Sequence, residues 1–152
     1  MESKTISVFL MTIGMLSSLC CGSEKKDIGL QGIDDLKTKQ YAVEGQNLYL
    51  QYCSNCHQKD GSGLKQLIPP LAGADYMLSD VKNTVYLIKN GIKGEIVVNG
   101  TAYNQPMPSN PDLTNLEIAQ ITTYIYNVWG NHKGLIDLET VDASLNPPKP
   151  NQ

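Results

Sequence analysis

The sequence predicts an all-α domain of three to four short helices with one small β-hairpin. Three observations carry that prediction. Apolar residues recur at helical spacing in three separate stretches, beginning near Ala42, Tyr76 and Leu116. A single Asn99-Gly100 pair, flanked by β-formers, supplies a strong hairpin signal. Between the first two helical stretches stands Cys53-Ser54-Asn55-Cys56-His57, a spacing that aligns its two thiols only on a helical turn.

The N-terminus reads as a targeting segment. Lys4 precedes an apolar run from Ile6 to Leu19, fourteen residues that are too short to cross a bilayer and fit the central region of a signal peptide. The run closes on Cys20-Cys21-Gly22-Ser23, which resembles a bacterial lipoprotein signal. Cys21 is the preferred lipid acceptor, with Cys20 next to it as the alternative. Residues 1–21 are therefore expected to be signal and lipid-attachment region, with ordinary secretion or a retained anchor as rivals. Each of these places the domain outside a bacterial cytoplasm, on the periplasmic side. Residues 22–40 are polar, charged and punctuated by glycine, and are expected to be a flexible tether.

The folded domain is expected over residues 41–130. From Ala42 to Cys53, Val43, Leu48, Tyr49 and Tyr52 recur at near-helical spacing, and Glu44 sits in the first turn, where the helix dipole favours an anion. Residues 58–74 are rich in glycine and proline and predict an irregular loop. Asp75 is expected to cap the segment Tyr76–Lys89, read as one helix or as two meeting near Asp80 and ended by Asn90-Gly91. The hairpin follows over residues 95–103, then a loop rich in proline and asparagine that holds Met107. Thr114 with Glu117 forms a capping box for the last helix. Leu116, Ile118, Ile121, Ile125 and Val128 give that helix its apolar stripe, Tyr124, Tyr126 and Trp129 surround it, and Gly130 ends it. Residues 131–152 lose periodicity and are expected to be a C-terminal tail, before whose end a short strand or turn has room to pack back.

Composition narrows the function. At 152 residues there is room for one domain, whose limited self-burial a large apolar cofactor would complete. The net charge is −3 and all 12 basic residues are lysines, so no basic patch suited to nucleic acid is present. Of the four cysteines, Cys20 and Cys21 lie in the signal region, which leaves Cys53 and Cys56. A disulfide between those two would close a very small loop and contribute little.

C-x-x-C-H is the attachment pattern of a c-type haem. The two thiols point the same way and suit the two vinyl groups of a porphyrin, and His57 follows as proximal iron ligand. A redox dithiol would need a strand-to-helix junction in a βαβ frame, and no such pattern surrounds the motif. A zinc site would need four ligands, and the only further histidine is His132, far along the chain. Met77, Met107 and His132 are the candidates for the sixth position on the iron. Met107 is preferred because Pro106 and Pro108 exclude helix and hold its thioether out from a stiff, extended backbone. Met77 falls in a helical stripe, where a core gap-filler is the simpler role.

With these residues in view, the chain resembles the single-haem class I cytochromes c from about Val43 to Gly130. The resemblance rests on Cys53–His57, Asp60-Gly-Ser-Gly63, Pro69-Pro-Leu-Ala-Gly73, Tyr103-Asn-Gln-Pro-Met-Pro108 and the terminal aromatic helix. It implies the class I cytochrome c fold around one covalent haem c. It also implies that the Pro69 carbonyl accepts a hydrogen bond from the proximal imidazole, and that the first and last helices cross with Gly45 and Tyr49 facing Ile121 and Tyr124. The stretch from Gly91 to Tyr103 is similar to cytochrome c domains associated with bacterial periplasmic reductases, terminal oxidases and dehydrogenases, in which a small hairpin precedes the methionine loop. Two departures stand out. Lys59, Lys65, Lys82, Lys89 and Lys93 face seven acidic residues in the core, so the lysine ring of mitochondrial-type members is missing. With no arginine, haem propionates would take hydrogen bonds from groups such as Tyr76, Tyr103 or Asn104.

The function expected is that of a single-electron carrier rather than an enzyme, with haem c held by Cys53 and Cys56 and its iron by His57 and Met107. Its partner would be a reductase, oxidase or dehydrogenase at the membrane or in the periplasm, and a lipid on Cys21 would tie it to the membrane. A fixed cytochrome subunit of a larger oxidoreductase is one alternative; a haem-based gas sensor or peroxidase-like enzyme with a labile Met107 is the other.

Overall fold

A computed structural model describes residues 28–146. The expected signal segment and Cys21 lie outside that range, as do the first residues of the tether and the proline-rich end of the tail. Seven helical segments and one hairpin follow in order: α1 Ile28–Gln31, α2 Leu36–Tyr52, α3 Ser54–His57, α4 Asp75–Ser79, α5 Val81–Asn90, β1 Ile96–Val98, β2 Thr101–Tyr103, α6 Asn115–Ile125 and α7 Leu138–Leu145. The count exceeds the three to four expected because single-turn pieces flank the longer helices. Among the described residues no helix is long and apolar enough to cross a membrane.

Helix α2 starts well ahead of the expected boundary at Tyr41. Asp35 caps it, accepting from the Thr38 amide at 2.7 Å and the Thr38 hydroxyl at 2.7 Å. Ahead of the cap Ile33 is buried, and α1 lies against the end of α6: a Cβ on Gly29 would stand 2.6 Å from Val128 Cγ1. Residues 28–40 are thus part of the packed domain, and the tether reading fails for them. Their polar composition hid an Asp-x-x-Thr cap.

The buried face of α2 also differs from the stripe expected. Thr38, Ala42, Gly45 and Tyr49 are buried, whereas Val43 and Tyr52 are 40% and 44% exposed. The reason is the crossing with α6, the main helix pair of the molecule. An added Cβ at Gly45 would meet the Gln120 carbonyl oxygen at 2.0 Å and Tyr124 Cβ at 2.9 Å, so only small residues fit where the backbones approach. Above the crossing Tyr49, Tyr124 and Trp129 form a ring triad with centroids 5.3–5.5 Å apart in tilted and edge-on pairs.

Helix α6 has the expected capping box at Thr114 and Glu117. It is buried nearly all round, from Ile118 to Ile125 with the exception of Gln120, because α7 covers a face that α2 leaves open. That helix corrects the tail reading for residues 131–146. Asp137 caps it by accepting from the Thr140 amide at 2.8 Å, and Ile136 and Val141 are buried. Two side chains of α6 and its exit stitch the connection down. Thr123 Oγ1 donates to the Ile136 carbonyl at 3.0 Å and accepts its amide at 3.1 Å. Asn127 Nδ2 donates to the Gly134 carbonyl at 2.7 Å, and its Oδ1 accepts the Gly134 amide at 2.8 Å.

Between the long helices, the segment read as one helix or two is two, α4 and α5, with Asp80 capping the second through the Asn83 amide at 3.1 Å. Asp75 does not cap α4, whose N-cap is Ala74. Its carboxylate accepts from the Asn99 amide at 2.7 Å while its own amide donates to Asn99 Oδ1 at 3.0 Å. It therefore fastens the hairpin turn to the start of α4. The turn itself is as expected: Asn99 and Gly100 both have positive φ, 49° and 76°, and pair Val98 with Thr101.

Candidate haem site

An open cleft lies between α2–α3 on one side and α4–α5, the hairpin and the Met107 loop on the other. Ile68, Leu71, Leu87, Ile88, Ile92 and Val98 give it apolar walls. Cys53, Cys56, His57, Pro69 and Met107, the residues named from the sequence, all border this one cleft.

The thiols and the imidazole owe their positions to a continuous helical path. Cys53 ends α2, its amide donating to the Tyr49 carbonyl at 2.9 Å, and its own carbonyl accepts from Cys56 and His57 at 3.1 and 3.0 Å. The chain thereby turns once between the two cysteines. No disulfide joins them; Cys56 is exposed and Cys53 half-buried, and before attachment burial, with the neighbouring Cys56, pushes the Cys53 thiol up to about 12.

His57 Nδ1 stands 3.1 Å from the Pro69 carbonyl oxygen. A carbonyl only accepts, so Nδ1 carries the proton and the neutral ring keeps its Nε2 lone pair free. Burial drives the His57 pKa below its ordinary value, against the opposing pull of the Pro69 carbonyl. The burial and the Nδ1–H tautomer both suit an imidazole that binds metal through Nε2 in its neutral form. The carbonyl is brought there by a compact loop: the Gly63 amide donates to the His57 carbonyl at 3.0 Å, and Leu64 and Ile68 pair through bonds of 2.9 and 3.3 Å. Gly63 (φ +69°) is required at this point, since its Cβ would lie 2.3 Å from the Ile68 oxygen and 2.6 Å from that of Pro69.

Of the alternatives for the sixth position, His132 is exposed and away from the cleft. Met77 does border it, but belongs to the buried core cluster, and its carbonyl accepts from the Tyr126 hydroxyl. Met107 is half-buried on its loop. Tyr76 and Tyr103 line the cleft, while Asn104 is exposed and not among its lining residues.

The donor set fits a haem c: two thiols one helical turn apart, an imidazole with its outer nitrogen oriented and its inner one free, and an apolar slot beyond them. A family model described as cytochrome c matches residues 42–129, more than half of the chain. The chain belongs to the cytochrome c family. It is 37% identical over 95 residues to cytochrome c-552 of Thermus thermophilus, covering 60% of this chain and 72% of that one. It is also 29% identical over 93 residues to the cytochrome c subunit of a quinone alcohol dehydrogenase from Gluconacetobacter polyoxogenes, covering 59% of this chain and 19% of that subunit. As a cytochrome c, the protein carries haem c bound covalently, and Cys53 and Cys56 are the cysteines that fit the attachment motif. Members of the family are electron carriers, and in bacteria such domains are typically extracytoplasmic. Helix α7 and residues 28–41 lie outside the residues that the family model matches.

Sequence reasoning missed the residues that hold the Met107 loop. Ile92 and Met107 form an isolated antiparallel bridge, which joins residues fifteen apart and leaves no short-range signal.

Proposed function

We propose that this cytochrome is a one-electron carrier whose iron is held by His57 and Met107. The observation that carries the reading is that both side chains border one apolar cleft with Cys53 and Cys56. When bound, the haem supplies a one-electron couple at its iron. Cys53 and Cys56 tether the group, and Pro69 holds the His57 ring at a set rotation and increases its donor strength. Met107 contributes a soft thioether, which favours the reduced state. The apolar walls exclude water, so little solvent has to reorganise as charge changes. No carboxylate or lysine borders the cleft among the described residues.

With His57 and Met107 both bound to it, the iron would keep no open position for an exogenous gas. The purified protein is expected to show a low-spin ferric spectrum with a weak far-red band from iron–sulfur ligation, and to bind carbon monoxide only slowly when reduced. Rapid binding to the native reduced protein would replace the carrier with a sensor.

The partner is a membrane or periplasmic oxidoreductase. The likeness to a dehydrogenase cytochrome subunit favours an enzyme of that class as either a docking partner or a complex in which this chain is fixed. Attachment to the membrane is through a lipid on Cys21, supported by the apolar run that ends in Cys20-Cys21-Gly22-Ser23. Intact mass spectrometry of the membrane fraction is expected to show a diacyl or triacyl adduct on the mature chain. A soluble, unmodified product starting after the signal would exclude the anchor.

A further inference from the structure

We propose that the C-terminal end of α5 is a positioning clamp that fixes Met107 in the site, with Gly91, Ile92 and Lys89 as its working residues. The inference rests on the reading of Met107 as iron ligand and explains how the chain keeps that ligand bound.

The loop is tied to α5 along its length. The Ile92 amide donates to the Met107 carbonyl at 3.0 Å and the Met107 amide donates to the Ile92 carbonyl at 3.0 Å. Farther on, Asn110 Nδ2 donates to the Ile88 carbonyl at 3.0 Å and the Asn110 amide to that of Lys89 at 3.1 Å. These are two of the last carbonyls of α5, which the helix leaves without partners of its own. Lys89 Nζ then reaches back to the carbonyls of Pro111 at 2.8 Å and Leu113 at 2.6 Å. Loop and helix end satisfy one another.

The register of this clamp is set by chemistry. Pro106 and Pro108 have no N–H, so within Pro106-Met107-Pro108 only Met107 can donate to Ile92. A slip of one residue in either direction puts a proline opposite Ile92 and loses that bond. The approach is equally specific. Gly91 has φ +72°, and an added Cβ would lie 2.3 Å from the Met107 carbonyl oxygen and 2.8 Å from Pro108 C and Ser109 N. All three are backbone atoms that cannot rotate away. Glycine is what lets α5 end directly against the methionine loop.

The test uses the haem-loaded protein. Gly91→Ala is expected to raise the carbon monoxide association rate of the reduced protein about tenfold, with a similar fall in hydrogen-exchange protection at the Ile92 and Met107 amides, as expected when one or two backbone hydrogen bonds are lost. Lys89→Met keeps the stem and the glycine, and should raise carbon monoxide binding by a smaller factor, about threefold. Met107→Ala separates the two readings. If it leaves the far-red band in place, the ligand assignment falls and the clamp with it. If it abolishes the band while Gly91→Ala retains wild-type carbon monoxide binding and amide protection, the clamp alone is overturned. Should Gly91→Ala fail to incorporate haem, Lys89→Met decides: unchanged binding and protection overturn the clamp, and raised binding with lower protection supports it.

Discussion

Gly45→Ala is expected to lower the urea midpoint of the haem-loaded protein with its m-value unchanged. Two effects oppose each other. Alanine in a helix is favoured over glycine by about 1 kcal/mol. Against this, the new methyl carbon would stand 2.0 Å from the Gln120 carbonyl oxygen and 2.5 Å from its carbon. Those atoms belong to the α6 backbone, so relief requires the helices to separate by about 1.4 Å to reach ordinary contact. Overpacking costs roughly 1–3 kcal/mol where side chains can adjust, and more where backbone must move. The separation would also loosen the Tyr49–Tyr124–Trp129 triad just above the crossing. A net loss of about 3 kcal/mol is a large share of the 5–15 kcal/mol typical of a domain, by order of magnitude. Equilibrium unfolding in urea measures it. A midpoint equal to or above that of the wild type would mean that α2 and α6 do not meet as described.

Met107→Ala is expected to abolish the ferric far-red band, open the iron to rapid carbon monoxide binding and lower the reduction potential. Loss of the thioether removes the ligand that favours the reduced iron. A shift of at least tenfold toward the oxidised form corresponds to about 59 mV for a one-electron couple. The fold should survive, because the Ile92–Met107 bridge is made by backbone atoms and alanine retains them. Spectroelectrochemical titration and flash photolysis in carbon monoxide check both parts. Persistence of the band with an unchanged potential would turn attention to Met77, the other methionine on the cleft.

Some parts of this molecule could be read directly from the chain. The Asn99-Gly100 turn and the Thr114–Glu117 capping box are local devices, decided within four residues, and both stand where expected. The inner face of α2 could not be read in the same way. A search for bulky apolar residues follows Val43, Leu48, Tyr49 and Tyr52, yet of these only Tyr49 belongs to the buried face, with Thr38, Ala42 and Gly45. Close helix crossings select for small side chains, which a hydrophobicity pattern scores as neutral. Resemblance to the family, rather than periodicity, pointed to Gly45. The folded ends were missed for a related reason. Residues 28–40 and 131–146 are polar on average, and their contribution lies in caps such as Asp35–Thr38 and Asp137–Thr140 and in a few buried residues such as Ile33 and Val141.

By itself the sequence determined the chemistry. Cys53, Cys56 and His57 act through a spacing that one helical turn makes mechanical, so the haem attachment was legible without any coordinates. Met107 was legible as a candidate, since prolines on both sides stiffen its backbone. What only the tertiary structure decided is how those groups are brought together and held. Ile92 pairs with Met107 across fifteen residues, and the contacts that the resemblance implied, Pro69 on His57 and Gly45 on α6, close over twelve residues and some seventy-five. Each uses at least one backbone atom or a glycine, where side-chain identity leaves almost no mark on the pattern, and only the folded chain brings the partners within reach.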